Sequence, residues 1–83
     1  MDRGATFQKV VDIIKPFVKN QEALAAADET TQIRDDLGVN SARLVDIVLE
    51  FEDQFGIEID DEAADRVHTL GDAVTVIEEK SQA

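Results

Sequence analysis

The chain has 83 residues, no cysteine, tryptophan or tyrosine, and a net charge of −11. That length fits one small domain spanning residues 1–83, and the lack of cysteine excludes disulfides, thiolate metal sites and thiol nucleophiles. Residues 1–27 are net +1 (four Lys/Arg against three Asp/Glu) and residues 28–83 net −12 (four against sixteen), a balance that repels nucleic acid and anionic lipid and suits basic proteins as partners, although composition alone favours the plainer reading that acidity keeps a small domain soluble.

The first predicted element is an amphipathic helix over Thr6 to Lys19. Phe7, Val11, Ile14 and Val18 recur at helical spacing, with Val10, Ile13 and Phe17 widening the stripe. Pro16 lies near its end and is expected to kink or terminate the last turn. Leu24 and the alanines after it can add a turn, but "ADETTQIRDD" reads as a long polar loop, in which Ile33 and Leu37 are isolated apolar anchors. Gly38 permits a sharp or left-handed turn. From Ser41 to Phe55 the helical pattern is strongest, and Gly56 stands where a terminating glycine belongs. "IEI", residues 57–59, reads as an extended connector. Asp60 or Asp61 is a candidate cap for a short third helix over "DEAADRV". Thr69 and Asp72 resemble a capping box opening a last helix through about Glu79, with Leu70, Ala73, Val74 and Ile77 inward. The expected fold is all-α: a small, irregular antiparallel four-helix bundle with a long first loop and a short third helix. No apolar run is long enough to cross a bilayer, and "MDRGATFQKV" lacks a signal core. The expectation is a cytoplasmic monomer without membrane insertion.

Laid out at about 100° per residue, the Ser41–Phe55 helix has three faces. Leu44, Val48, Phe51 and Phe55 form the core sector, and Asp46, Glu50 and Asp53 an acidic stripe opposite. Ala42, Val45 and Leu49 lie between them as an apolar ridge. Such a ridge beside like charges suits docking of a basic partner; alternatively, Val45 and Leu49 cover neighbouring loops or the first helix. Ser41 opens this helix, where unpaired amides and partial positive charge gather. A hydroxyl there can accept a backbone hydrogen bond as an N-cap, the commonest reason for a serine in such a place and the reading the residues alone favour; the same helix end would stabilise a phosphate ester on it. Asn40 is itself a good cap and can leave Ser41 free.

"DDLGVNS", the apolar-acidic helix "LVDIVLEFEDQFGIEI" and "DEAADRVHTLGDAV" together resemble the acyl carrier proteins of fatty-acid and polyketide synthesis. The resemblance covers nearly the whole chain and is strongest over residues 33–77. It implies a four-helix bundle with 4'-phosphopantetheine attached through a phosphodiester to Ser41. A carrier-protein synthase (a phosphopantetheinyl transferase) adds this arm from coenzyme A with magnesium, and the arm's thiol holds acyl groups as thioesters. The resemblance also implies docking of basic-surfaced acyl-transfer or elongation enzymes on Ala42, Arg43, Val45, Asp46, Leu49, Glu50 and Asp53. By position, Phe51, Ile59, Val67, Ala73 and Val76 resemble residues lining an acyl cavity, and ordinary core packing is equally true of them.

Three positions depart from the family pattern. Asn40 stands where an aspartate usually precedes the serine, Ala42 where a leucine follows it, and Arg43 where the family has an acidic or polar residue. A cation near a helix N-terminus is unfavourable unless the arm's phosphate, or Asp46, compensates it. These departures suggest a specialised carrier. No residues form a catalytic set, and no metal site is expected: His68 lacks a nucleophile or metal partner and is read as shaping the cavity entrance, and "DDEAADRV" lacks EF-hand ligand spacing. Weak divalent binding by clustered carboxylates stays open. The alternatives are an unmodified carrier-like adaptor that acts only by binding, and a peptidyl or D-alanyl carrier.

Overall fold

The computed structural model describes residues 2–81. It contains five α-helices: α1 Arg3–Ile14, α2 Gln21–Ala25, α3 Ser41–Phe55, α4 Asp61–Ala64 and α5 Leu70–Ser81. The described residues contain no strand, only an isolated antiparallel bridge between Gln32 and Thr69. α1 packs on α5 and α3, and α5 also packs on α3. None of these helices is long and apolar enough to cross a membrane.

α1 begins three residues before the expected boundary. The Asp2 carboxylate accepts a hydrogen bond from the Gly4 amide at 2.9 Å and so caps an earlier first turn. Its end is also earlier, because Pro16 sits in a 3-10 turn at Lys15–Phe17. The centre of its buried stripe is Thr6, Val10 and Ile14, while Phe7 and Val11 are only half-buried. Thr6 is tolerated inside because its hydroxyl donates to the Asp2 carbonyl at 3.1 Å. α2 is the one helix beyond the expected four. Asn20 caps it, accepting from the Ala23 amide, and Leu24 is its buried residue.

α3 has the boundaries expected from its sequence. Gly56 ends it in the left-handed region at φ +64°, which an L side chain rarely adopts. Ile47 and Phe51 are fully buried and Val48 nearly so. Leu44 and Phe55, expected at the centre of the core sector, are only half-buried; the core sector is therefore rotated toward Ile47. The exposed side of Phe55 is covered by the Lys9 ammonium, 4.7 Å from the ring centre.

The long connection before α3 is fastened chiefly to the start of α5, and the Asn20 amide also donates to the Leu37 carbonyl at 3.2 Å. The Ile33 amide donates to the His68 carbonyl (2.9 Å), and the Leu70 and Gly71 amides donate to the Thr31 (3.0 Å) and Glu29 (2.9 Å) carbonyls. Ile33, Leu37 and Val39 are consequently buried, and the backbone turns at Gly38 with φ +72°. Asp60 caps α4, accepting from the Ala63 amide at 2.8 Å. Thr69 and Asp72 form a reciprocal box at the start of α5: Thr69 Oγ1 accepts from the Asp72 amide, and the Asp72 carboxylate from the Thr69 amide, both at 3.0 Å. Leu70, Ala73, Val74 and Ile77 face inward as expected, joined by Gly71 and Val76.

At the far end of α1, the Arg3 guanidinium reaches Glu29 (2.7 Å), Glu78 (2.8 Å), the Gly71 carbonyl (3.2 Å) and Thr75 Oγ1 (3.1 Å). It thereby ties α1 to α5 and the long loop. The hydrogen bonds from Arg3 hold the Glu29 carboxyl below its ordinary value.

Candidate functional site

The site is built on the first turn of α3. Asn40, in an extended conformation, turns its side-chain oxygen back to accept the Arg43 amide at 2.8 Å, and its carbonyl accepts the Leu44 amide at 2.9 Å. Ser41 is therefore the first residue inside the helix. It is exposed, and among the described residues no hydrogen bond involves its hydroxyl. The amides of Ser41 and Ala42 likewise have no acceptor among the described residues, as the first turn of any helix leaves them. A free nucleophilic oxygen thus stands beside two free N–H donors at the positive end of a 15-residue helix.

Two surfaces leave this point. Along the outside of α3, Val45 and Leu49 are 60% and 57% exposed. Ala42, Asp46 and Asp53 are exposed beside them and Glu50 is half-buried, so apolar ridge and acidic stripe run side by side. The Arg43 guanidinium leans toward Asp46 at 4.0 Å.

Between α3 and α4 lies a recess of about 410 Å³ that begins at Ser41, and Val45 and Leu49 form its lip, so the ridge and the recess adjoin. Leu44, Val48, Ile59 and Val67 give it an apolar wall, and Ala64 of α4 closes the outer side. Its rim is charged: Arg34, Glu52, Asp61 and Asp65 line it together with His68. A second, shallower recess on the other side of Ser41 is lined by Arg34, Asp35, Gly38, Val39 and Asn40.

The five residues that the resemblance assigns to an acyl cavity divide in two. Ile59 and Val67 line the recess. Phe51, Ala73 and Val76 do not; they lie in the close-packed core, at most 1% exposed. Sequence reasoning missed Leu44 and Val48 as lining residues because their helical spacing assigns them to the core alone. It missed Arg34 because a loop residue carries no periodicity, and the hydrogen bonds that orient this loop join partners more than thirty positions apart. His68 stands at the rim, and its carbonyl and amide are used by Ile33 and Asp72. No cluster of three or more His, Asp or Glu side chains suited to a metal occurs among the described residues.

Residues 8–77 match the family model described as "Phosphopantetheine attachment site". The acyl carrier protein of Thermotoga maritima is 38% identical over 78 residues, an alignment covering 94% of this chain and 94% of that one. Among solved structures, the acyl carrier protein from Enterococcus faecalis superposes with a TM-score of 0.78 at 37% identity, covering 98% of this chain and all of that one.

Proposed function

Because this chain belongs to the acyl carrier protein family, whose cofactor is covalently attached 4'-phosphopantetheine, we propose that Ser41 is the residue that carries the arm. The observation that carries this reading is the division of labour at the start of α3. Asn40 caps the helix, and the Ser41 hydroxyl is left exposed and unbonded. The residues present suit the group: an oxygen to esterify, two free amides and a positive helix end for the phosphate, and an adjoining recess for what the arm carries. Once bound, the arm supplies a terminal thiol that holds acyl groups as thioesters.

The protein is a carrier. In our reading it has no catalysis of its own and acts as a cytoplasmic monomer in one carrier domain. It receives the arm from a phosphopantetheinyl transferase and presents acyl intermediates to basic-surfaced enzymes of fatty-acid, lipid or polyketide synthesis. The Val45–Leu49 ridge, beginning at Ala42 and flanked by Arg43, Asp46, Glu50 and Asp53, is the docking surface of this proposal. Charges there steer the encounter, and the ridge supplies contact area once water leaves. Asn40, Ala42 and Arg43 depart from the usual pattern and favour service in a specialised pathway.

Intact mass after incubation with coenzyme A and a broad-specificity carrier synthase tests the attachment. Wild type gains the mass of one phosphopantetheine, and Ser41→Ala gains none. An unmodified wild type, with Ser41 accessible, would favour the second reading, an adaptor acting by binding alone, to which Asn40 and Ala42 also point.

A further inference from the structure

Eight basic side chains serve this chain of net charge −11, and most are already engaged. Arg3 is paired with Glu29 and Glu78, Arg66 with Glu79 at 2.8 Å, Lys80 with Asp60 at 3.9 Å and Arg43 with Asp46 at 4.0 Å. Lys9 lies over Phe55. Arg34, like Lys15 and Lys19, has no ion pair within 4 Å among the described residues, although two aspartates follow it in sequence, and of these three it alone lines the recesses at Ser41. The carboxylate of Asp36 accepts the Gln32 amide at 2.8 Å, closing its own turn.

The position of Arg34 follows from the backbone. The hydrogen bond from the Ile33 amide to the His68 carbonyl fixes the start of a turn over residues 33–37, in which Ile33 is buried and Arg34 is exposed. Arg34 thereby lines both recesses that meet at Ser41. The other charged side chains in these linings are acidic (Asp35, Glu52, Asp61 and Asp65), and the His68 imidazole stands beside them. Arg43 is nearer in sequence, but two residues along a helix turn it about 200° away from Ser41, and it leans on Asp46.

We propose that Arg34 holds the phosphodiester of the arm on Ser41, anchoring the root of the arm at the mouth of the α3–α4 recess. This rests on Ser41 being the attachment point. A phosphodiester is permanently anionic and would otherwise stand among carboxylates. A guanidinium offers it both charge and paired N–H donors, which an ammonium does not match. The free amides of Ser41 and Ala42 complete the set of donors.

The test compares apo and modified protein for wild type, Arg34→Ala and Arg34→Lys, with modification verified by intact mass. In wild type the Arg34 Nε–Hε cross-peak moves on modification, and the ³¹P signal of the phosphodiester reports a restrained arm. In Arg34→Ala the ³¹P relaxation shifts toward that of a freely rotating arm, and Arg34→Lys falls between. The apo forms of all three melt together, since Arg34 is exposed and unpaired. A modified wild type whose Nε–Hε peak stays in place, with the same ³¹P relaxation in all three proteins, overturns the role of Arg34 and leaves the attachment standing. Absence of the mass gain overturns both.

Discussion

Asn40 and Ser41 both bring a side-chain oxygen to the first amides of α3, and the capping duty falls to Asn40. Removing that oxygen with Asn40→Ala is expected to lower stability by about 1 kcal/mol, as losses of good N-caps do. Asn40→Asp keeps an acceptor and adds a charge that suits the helix end, so it should hold wild-type stability within about 1 kcal/mol. Urea unfolding of the two variants measures the difference; equal midpoints would show that the cap contributes nothing. If Ser41 takes over the cap in Asn40→Ala, its hydroxyl is no longer free, and modification by a carrier synthase should slow along with the stability loss. Much of this was legible in the letters: an Asn-Ser pair before an apolar helix offers one cap and one spare hydroxyl. Which of the two takes which role depends on backbone geometry: the letters alone favour Ser41 as the cap, and the extended backbone at Asn40 gives the role to Asn40 instead.

At the scale of elements, legibility followed the strength of the end signals. α3 was placed to the residue because Asn40 and Gly56 bracket an unbroken apolar pattern. α1 was displaced because the acidic cap Asp2 lies before the first apolar residue of the stripe. α2 is too short to hold itself together and exists because Asn20 caps it and Leu24 is buried, so its pattern was faint. Ile47 was left out of the core sector, since nothing in a single helix says where its neighbours stand; α1 and α5 decide that. Contact between elements also governs Gly71. A Cβ there would lie 2.8 Å from the Glu29 carbonyl oxygen, which is backbone and cannot swing aside. Alanine normally gains up to about 1 kcal/mol over glycine inside a helix. Here the close approach is expected to win, with Gly71→Ala destabilising by about 1–3 kcal/mol. A thermal melt at or above the wild-type midpoint would show that the loop yields without cost.

Across the whole molecule, the Arg3 cluster joins the first helix, the last helix and the long loop. Arg3 holds Glu29 below the ordinary carboxyl value of 4.5, so its contribution is complete above that value and is lost as pH falls through the depressed one. Arg3→Met should therefore unfold more easily than wild type at pH 7, with the gap narrowing as pH drops below 4.5. Parallel urea titrations across that range measure it, and a gap independent of pH would assign the effect to lost packing of the arginine stem. The distribution of charge was readable from the sequence, but the meeting of Arg3 with two glutamates 26 and 75 positions away was not.

The single turn of α4 forms the outer side of the recess; Ala63, with Ile59 and Val67 on either side, seats it in the core, and polar and ionic contacts fasten its outer edge. The Ile59 amide donates to the Glu52 carboxylate at 2.9 Å, Arg66 grips Glu79 at 2.8 Å, and Lys80 stands 3.9 Å from Asp60. α1, α3 and α5 meet through a broader set of buried aliphatic and aromatic groups, with the Arg3 pairs added at one end. Dissolved ions weaken the ionic contacts and spare the apolar ones. This flank should thus work as a shutter whose looseness is set by ionic strength: amide exchange across residues 58–66 quickens as salt is added, while exchange at Ile47 and Val74 does not. The cell's own electrolyte would then help decide how readily the molecule opens to its cargo.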